Sequence, residues 1–519
     1  VDGAANFAAD VTIAAGADLV TATAGTSNFR AGVNAGDAIA SGGNYNVCVG
    51  DEAGTGLTTG DYNTIVGYQA GTGVMVAGAN TFVGSQAGKA STDGYDNTAI
   101  GYGALTANTK GGRCTAVGRN ALITQNVTSA GNTNNTAVGY SAGANLTDAT
   151  NCTIIGAEAA SNGTLTGTAN TVVGKNAGFN LTSGNNNSIL GYLAGSALTN
   201  GNFNTAIGIQ ALQTETGGAA TTAIGTGALQ RQIQPGTADT NNIGIGYVAG
   251  TKITAGINNV CIGRAAYNMQ DADDNIAIGT QAFQANVTGF RNVAIGTGAL
   301  YSQNTSSAAV TYNVSMGYEA GYFTNSGVKN TCIGSLTGRN ITTGDYNTII
   351  GYSCATAAVD TDQSIVIGQS VTGVGSSNFT FGAGGTDSNI AYGATSITAP
   401  SDQRYKEEIT DSTAGLAFIK DLRPVTFKWK KEKDLPTSQR AYVEGSETRT
   451  MNDYTNHGFI AQEVKSVIDA HSEIKDGFDM WSTDGQADGG RQRLGPSSLI
   501  PMLVKAIQEL EARIATLEG

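Results

Sequence analysis

Charge is scarce in this sequence. Only 13% of its 519 residues are Asp, Glu, Lys or Arg, near half the ~25% of an ordinary globular domain, so its composition is not that of an average enzyme. Six scattered cysteines build no disulfide framework in a chain this long. No apolar run approaches the ~20 residues that span a bilayer, and no membrane insertion is expected. The opening residues, VDGAANFAAD, lack the basic and apolar pattern of a signal segment. They also lack an initiator Met, which points to a start that is missing or was removed. Acidic residues outnumber basic ones, 41 to 28, for a net charge of -13. Wrapping nucleic acid needs the opposite balance. Isolated GxG strings have neither the Lys-Ser/Thr nor the strand-to-helix context of a phosphate loop, so no cofactor is expected.

What the chain has in excess is glycine, 73 residues, about double the usual ~7%. With only six Pro and 40% apolar residues, it stays clear of the compositions that remain disordered. Charge is unevenly spread. Residues 401–519 hold 16 of the 28 basic and 20 of the 41 acidic residues, both His (His457, His471) and both Trp (Trp429, Trp481). The first 400 residues are a body rich in Gly, Ala, Asn and Thr, and a compact domain follows a boundary near Pro400.

The body is repetitive. NTIVGYQAG (63–71), NTAIGYGAL (97–105), NTAVGYSAG (135–143) and NTAIGIQAL (204–212) share the pattern N-x-x-φ-G-x-x-A-[G/L], where φ is apolar. Its central glycine recurs from Gly50 to Gly368 in 18 steps, of which 13 are 17 residues and three are 21. A period of 17 is too short for a helical hairpin, and segments rich in Val, Ile and Thr between Gly and Asn corners favour strand and turn. The expected fold is mainly β: a stacked-coil β-solenoid, or β-roll, in which φ and Ala fill a thin continuous core and Asn forms side-chain ladders. Eighteen steps at the strand spacing give a rod roughly 90 Å long. Residues 1–40 are expected to form an attachment segment and the start of this shaft, 41–370 its repeats, and 371–400 its end. Coils this lean in Leu and Phe bury little each, so chains are expected to pack together as a homotrimer. The body resembles the β-roll head of trimeric autotransporter adhesins and, more closely, the repeats of phage fibre proteins, although its period is longer than that of the adhesin heads.

The last 119 residues carry four motifs in order: SDQRYKEEI (401–409), LRPVTFKW (422–429), HGFIAQEV (457–464) and SLIPMLVKAIQELEARIATLEG (498–519). They resemble the intramolecular chaperone domain of phage tail fibres and tailspikes, which is also classed as a self-cleaving serine peptidase. That resemblance implies a small α+β domain over 401–519, a nucleophile at Ser401, a base at Lys406, and cleavage of the bond between Pro400 and Ser401. Asp402 and Arg404 match the motif as organisers. A Ser hydroxyl must lose its proton to attack, and an amine accepts it only when neutral. Five residues apart, the two side chains do not meet on a regular helix or strand. A turn or a neighbouring chain must pair them, unless Ser401 is a helix cap and Lys406 a solvated charge.

The terminal segment has its own signature. Ile500, Leu503, Ile507, Leu510, Ile514 and Leu517 are spaced 3, 4, 3, 4, 3, the a/d seam of a coiled coil over 498–519 that suits three strands. Packing on its own domain is the alternative. Because the body repeats itself, a slip by one coil preserves most contacts, and a distinct domain that trimerises first would set the register.

Other candidates are weaker. The basic run FKWKKEK (427–433) reads as a solvated strand or hairpin edge, His457 as structural and His471 as a surface residue. The Cys residues stand at repeat positions and read as buried thiols, so no metal site is expected. The 21-residue steps insert polar segments at 123–134, 233–241 and 302–312, expected as surface loops that either touch a glycan or serve as spacers. The reading as a whole is a virion fibre on a phage tail or capsid. Its N-terminus would join a virion protein, its shaft would meet a host cell-surface receptor, and its C-terminal domain would drive trimerisation, with single-turnover self-cleavage. The alternatives are a tailspike enzyme that degrades host polysaccharide and a bacterial trimeric surface adhesin. The first needs paired carboxylates in an aromatic-lined groove, and the second a membrane-anchoring barrel at the C-terminus.

Overall fold

The computed structural model describes residues 23–518 apart from 74–75, 128–130, 235, 305–308, 385, 395–396, 399–400, 402, 438–440, 476–477, 479 and 484–491. The chain divides into two compact units, residues 1–400 and 401–519.

The first unit is a β-solenoid. Each repeat contributes one strand, usually of three residues, and these strands join into a 22-stranded sheet that is parallel from Phe29–Ala31 to Asn378–Ala383. Like positions lie over like: Thr64, Ile65 and Val66 pair with Thr81, Phe82 and Val83. The N-x-x-φ-G corners therefore stack directly, as the 17-residue period requires. Thr386–Ala391 closes the sheet by pairing antiparallel with Asn378–Ala383.

Two backbone devices hold the stack. The first is an asparagine ladder along one edge of the core. Asn187 donates its backbone N–H to Oδ1 of Asn170 at 3.0 Å and its side-chain amide to the Gly201 carbonyl at 2.9 Å, while its own Oδ1 accepts the Asn204 N–H at 2.9 Å. Each buried Asn thus satisfies the backbone of the coils beside it. Where Cys114 and Thr221 interrupt the ladder, the next Asn lacks an acceptor from the coil before. Gln125 and Gln232, carried by the 21-residue steps, supply it to Asn135 at 3.2 Å and Asn242 at 3.0 Å. In the third such step Gln303 serves Asn313 at 2.6 Å. The 21-residue coils thus carry a ladder-bridging amide in the core, seven residues after the central glycine, as well as added loop. The second device is the central glycine. At Gly191, φ is +140°, and a Cβ would sit 2.4 Å from the Gly208 carbonyl oxygen, so only glycine permits the coil-to-coil approach.

The core differs from the sequence expectation in one respect. The φ residue is not inside. A three-residue strand alternates faces, and the buried position is the one before φ: Cys48, Ile65, Phe82, Ala99, Ile154, Val172 and Ile189 are all essentially inaccessible. So thin a coil accepts Ala, Ser or Gly there as readily as Ile, which makes that position look uninformative in the sequence. Ala residues after the turn and Leu residues such as Leu57, Leu105, Leu146 and Leu181 complete the interior.

In the second unit α1 (Leu416–Asp421), α2 (Ala461–Ala470) and α3 (Ile500–Glu518) surround a core of Phe418, Val464, Ile468, Met480 and Leu499. Two short antiparallel pairs, Val425–Phe427 with Asn456–Gly458 and Trp481–Thr483 with Gln492–Leu494, make it α+β.

Candidate self-processing and assembly sites

Ser401 and Lys406 come together. A single 3-10 turn, Gln403–Tyr405, reverses the chain between them, and the Lys406 amide closes it on the Gln403 carbonyl at 3.1 Å. Lys406 Nζ then donates to Ser401 Oγ at 2.7 Å. This is the contact a Ser/Lys pair needs for proton transfer, made within one chain. Both side chains are exposed. Arg404 lies in the same turn, and Pro400 and Asp402 lie outside the described residues.

The seam of α3 faces outward. Ile500, Leu503, Ile507, Leu510, Ile514 and Leu517 are 43–87% exposed, far above what an amphipathic helix leaves open once it has docked through that face. The helix is held to its own unit through another face. Ala506 is buried, Met502 packs against the core, and Glu509 reaches the start of α1, where Oε2 accepts the Leu416 N–H at 2.9 Å. Gly415 makes room for that carboxylate, since a Cβ there would lie 2.5 Å from Glu509 Oε1.

A second apolar surface runs along the sheet of the first unit. The nineteen φ residues expected in the core line its outer face, none of them buried. Leu190 is 47% exposed and Ile100 40%. The outward position two residues earlier carries Thr, Val, Ile or Ser, so the face is β-branched at most positions, Ser188, Leu190 and Met316 being exceptions.

Residues 401–473 match the family described as the chaperone of endosialidase. They form a domain similar to the endosialidase chaperone. The match begins at Ser401, at the junction between the two compact units, and it takes in SDQRYKEEI, LRPVTFKW and HGFIAQEV; it ends before α3, short of the 401–519 that the sequence motifs suggested. A chaperone domain that follows a β-solenoid of about 17-residue repeats has the architecture of phage tailspike and tail-fibre proteins. No curated protein and no solved structure matches the chain.

Within the chaperone domain the remaining candidates resolve into structure. Lys431 and Lys433 of the basic run both pair with Glu447, and their hydrogen bonds hold its carboxyl down to about 2. His457 is exposed on the strand Asn456–Gly458, opposite Thr426. His471, expected as a surface residue, is instead largely covered, its side chain 13% accessible, and bonded through Nε2 to Asp421 and through Nδ1 to Glu473. These partners hold the imidazole above its usual pKa, Asp421 foremost. Sequence spacing gave no sign of the link, since Asp421 is fifty residues away. In the shaft all six cysteines are free and buried. Desolvation pushes the Cys48 thiol up to about 11 and those of Cys261 and Cys332 to about 12, so they pack as small neutral groups. No helix among the described residues is long and apolar enough to cross a membrane.

Proposed function

We propose that the protein is a homotrimeric phage fibre whose chaperone domain aligns three chains and then separates from the shaft by self-cleavage. The observation that carries this reading is the open a/d seam of α3: six apolar side chains on a helix anchored through its other face leave a surface that two further copies would cover. The outer sheet face supports it. Its rungs repeat at the coil spacing, and another copy of the same solenoid, set in parallel, carries apolar rungs at that same interval.

Three chains joined at one end share a high effective concentration, and zipping would proceed from the chaperone outward. In the cleavage step Lys406, as the neutral amine, takes the Ser401 hydroxyl proton, and Oγ attacks the Pro400 carbonyl carbon. The C–N bond breaks, leaving an ester on Oγ and a free Ser401 amine. Water then hydrolyses the ester to a Pro400 carboxylate and restores the hydroxyl. Both side chains are exposed in the single chain, and packing of the neighbouring chains would enclose them, so that processing follows assembly. The N-terminal residues would dock on a virion tail or capsid protein, and the shaft would meet a host receptor.

Intact mass and oligomeric state of the full chain, with Ser401→Ala in parallel, test the reading. A trimer is expected, with wild-type chains in pieces of 400 and 119 residues and Ser401→Ala chains whole. A monomeric wild type would end the fibre reading. A wild type that stays as one uncut chain, like the variant, would end the cleavage alone.

A further inference from the structure

Away from the sheet face and the Tyr that often follows the central glycine, the shaft carries mostly small or polar side chains at its surface, and one stretch breaks the habit. Residues 290–352 hold eight of the 33 Phe and Tyr, twice the density of the chain. Five residues after the central glycine, other coils commonly carry Thr, Ser or Gln, as at Thr55, Thr106, Ser196 and Gln213. Three successive coils here carry Tyr301, Tyr322 and Arg339 instead. The two rings stack with centroids 4.7 Å apart and planes 3° from parallel. The Arg339 guanidinium follows at 5.4 Å from the Tyr322 ring and 5.0 Å from that of Phe323. Phe323 meets Tyr322 edge-on at 4.8 Å.

A carboxylate completes the group. Glu319 Oε2 accepts from Arg339 Nε at 2.7 Å, and Glu319 also bonds the Tyr318 hydroxyl. Gly298 beneath leaves the space that Tyr322 and Glu319 occupy, for a Cβ there would lie 3.2 and 3.3 Å from their side chains. Tyr318 stays 52% exposed and Phe323 44%. Tyr318 stands where other coils also carry an exposed Tyr, as at Tyr68, Tyr102 and Tyr140; the departure is Tyr322, Phe323 and Arg339 gathered beside it, which the stacking of the other rungs does without. Local departures from a repeat's own rule mark functional surface, and exposed aromatic rings beside a planar ion pair are the side chains that carry binding energy in recognition sites. The third insertion begins directly after Tyr301, and inserted loops carry binding.

We infer that Tyr318, Glu319, Tyr322, Phe323 and Arg339 form a binding site for a neutral cell-surface saccharide, deepening the fibre reading on which it rests. Sugar rings present an apolar C–H face to an exposed aromatic ring and vicinal hydroxyls to a carboxylate and a guanidinium. The ion pair cancels its own charge, so the site has no net attraction for a polyanion.

Affinity electrophoresis of the full chain through gels containing dextran, glycogen, galactomannan or, as the acidic control, alginate tests this. Retardation by at least one of the neutral polymers is expected, little changed by salt, and weakened about tenfold or more in Phe323→Ser and in Arg339→Met, with the oligomeric state unaltered. The site is overturned if none of the neutral polymers retards the wild type, if both variants bind like it, or if alginate alone binds and salt abolishes it. A trimer that binds none loses only this site, whereas a monomer loses the fibre reading itself.

Discussion

At His471 one imidazole joins two carboxylates, Asp421 at 2.9 Å and Glu473 at 3.0 Å, with the Phe418 ring edge-on at 5.5 Å. Because both partners favour the charged form, the folded-state pKa stands above the unfolded value of about 6.5. The contribution to stability is therefore fully present below that value and lost as pH rises through the folded pKa. Both tryptophans lie in the chaperone unit, so their fluorescence reports its melting. Between about pH 5.5 and 8.5 the wild type is expected to lose a few degrees of Tm more than His471→Gln. Parallel curves would refute the link. Nothing in the sequence flagged this residue: the two acids that hold it come from either side of it in the chain, and only the packing of α1 against the end of α2 brings Asp421 into reach.

The coil is the next unit of scale, and its least replaceable atom is one that glycine lacks. Gly191→Ala would combine a strained φ with a backbone clash at the next coil, a cost on the order of 3–5 kcal/mol. Chemical denaturation should show that loss in the shaft transition, and a change within about 0.5 kcal/mol would refute the tight stacking described for Gly191. Much of the element was legible in advance, since a 17-residue spacing of Gly, with Asn four residues before it, dictates stacked strands and a ladder. The facing of the strand was not. Hydrophobicity alone placed Ile100 and Val138 inside, whereas the pleat turns them outward and gives the interior to Ala99 and Ala137. The Ser401–Lys406 pair was expected from the motif, but the five-residue separation left open whether a turn or a neighbouring chain would join them, and a 3-10 turn does so within one chain. The Tyr301–Tyr322–Arg339 column was missed because the repeats were aligned on glycine, and the position five residues later looks free to vary.

For the whole molecule the open question is register. Every rung of the shaft offers nearly the same outward face, so a slip of one coil exchanges like for like, and α3 is the described element whose seam is not repeated along the chain. Leu503→Asp with Leu510→Asp would place charges in that seam while leaving Met502, Ala506 and Glu509 on their own unit. Light scattering on the full-length variant should find single chains or ill-defined aggregates in place of a trimer, with the coil signature in circular dichroism retained. A well-defined trimer from this variant would show that the shaft alone keeps its chains level.

The hairpin at the shaft's end has a further consequence. A parallel stack finishes on a row of unsatisfied amides and carbonyls, the kind of border that recruits foreign strands without limit. Here the chain folds back and spends that border on its own Thr386–Ala391, turned the opposite way. The reversal gives the solenoid a terminus that another solenoid cannot extend in the same sense.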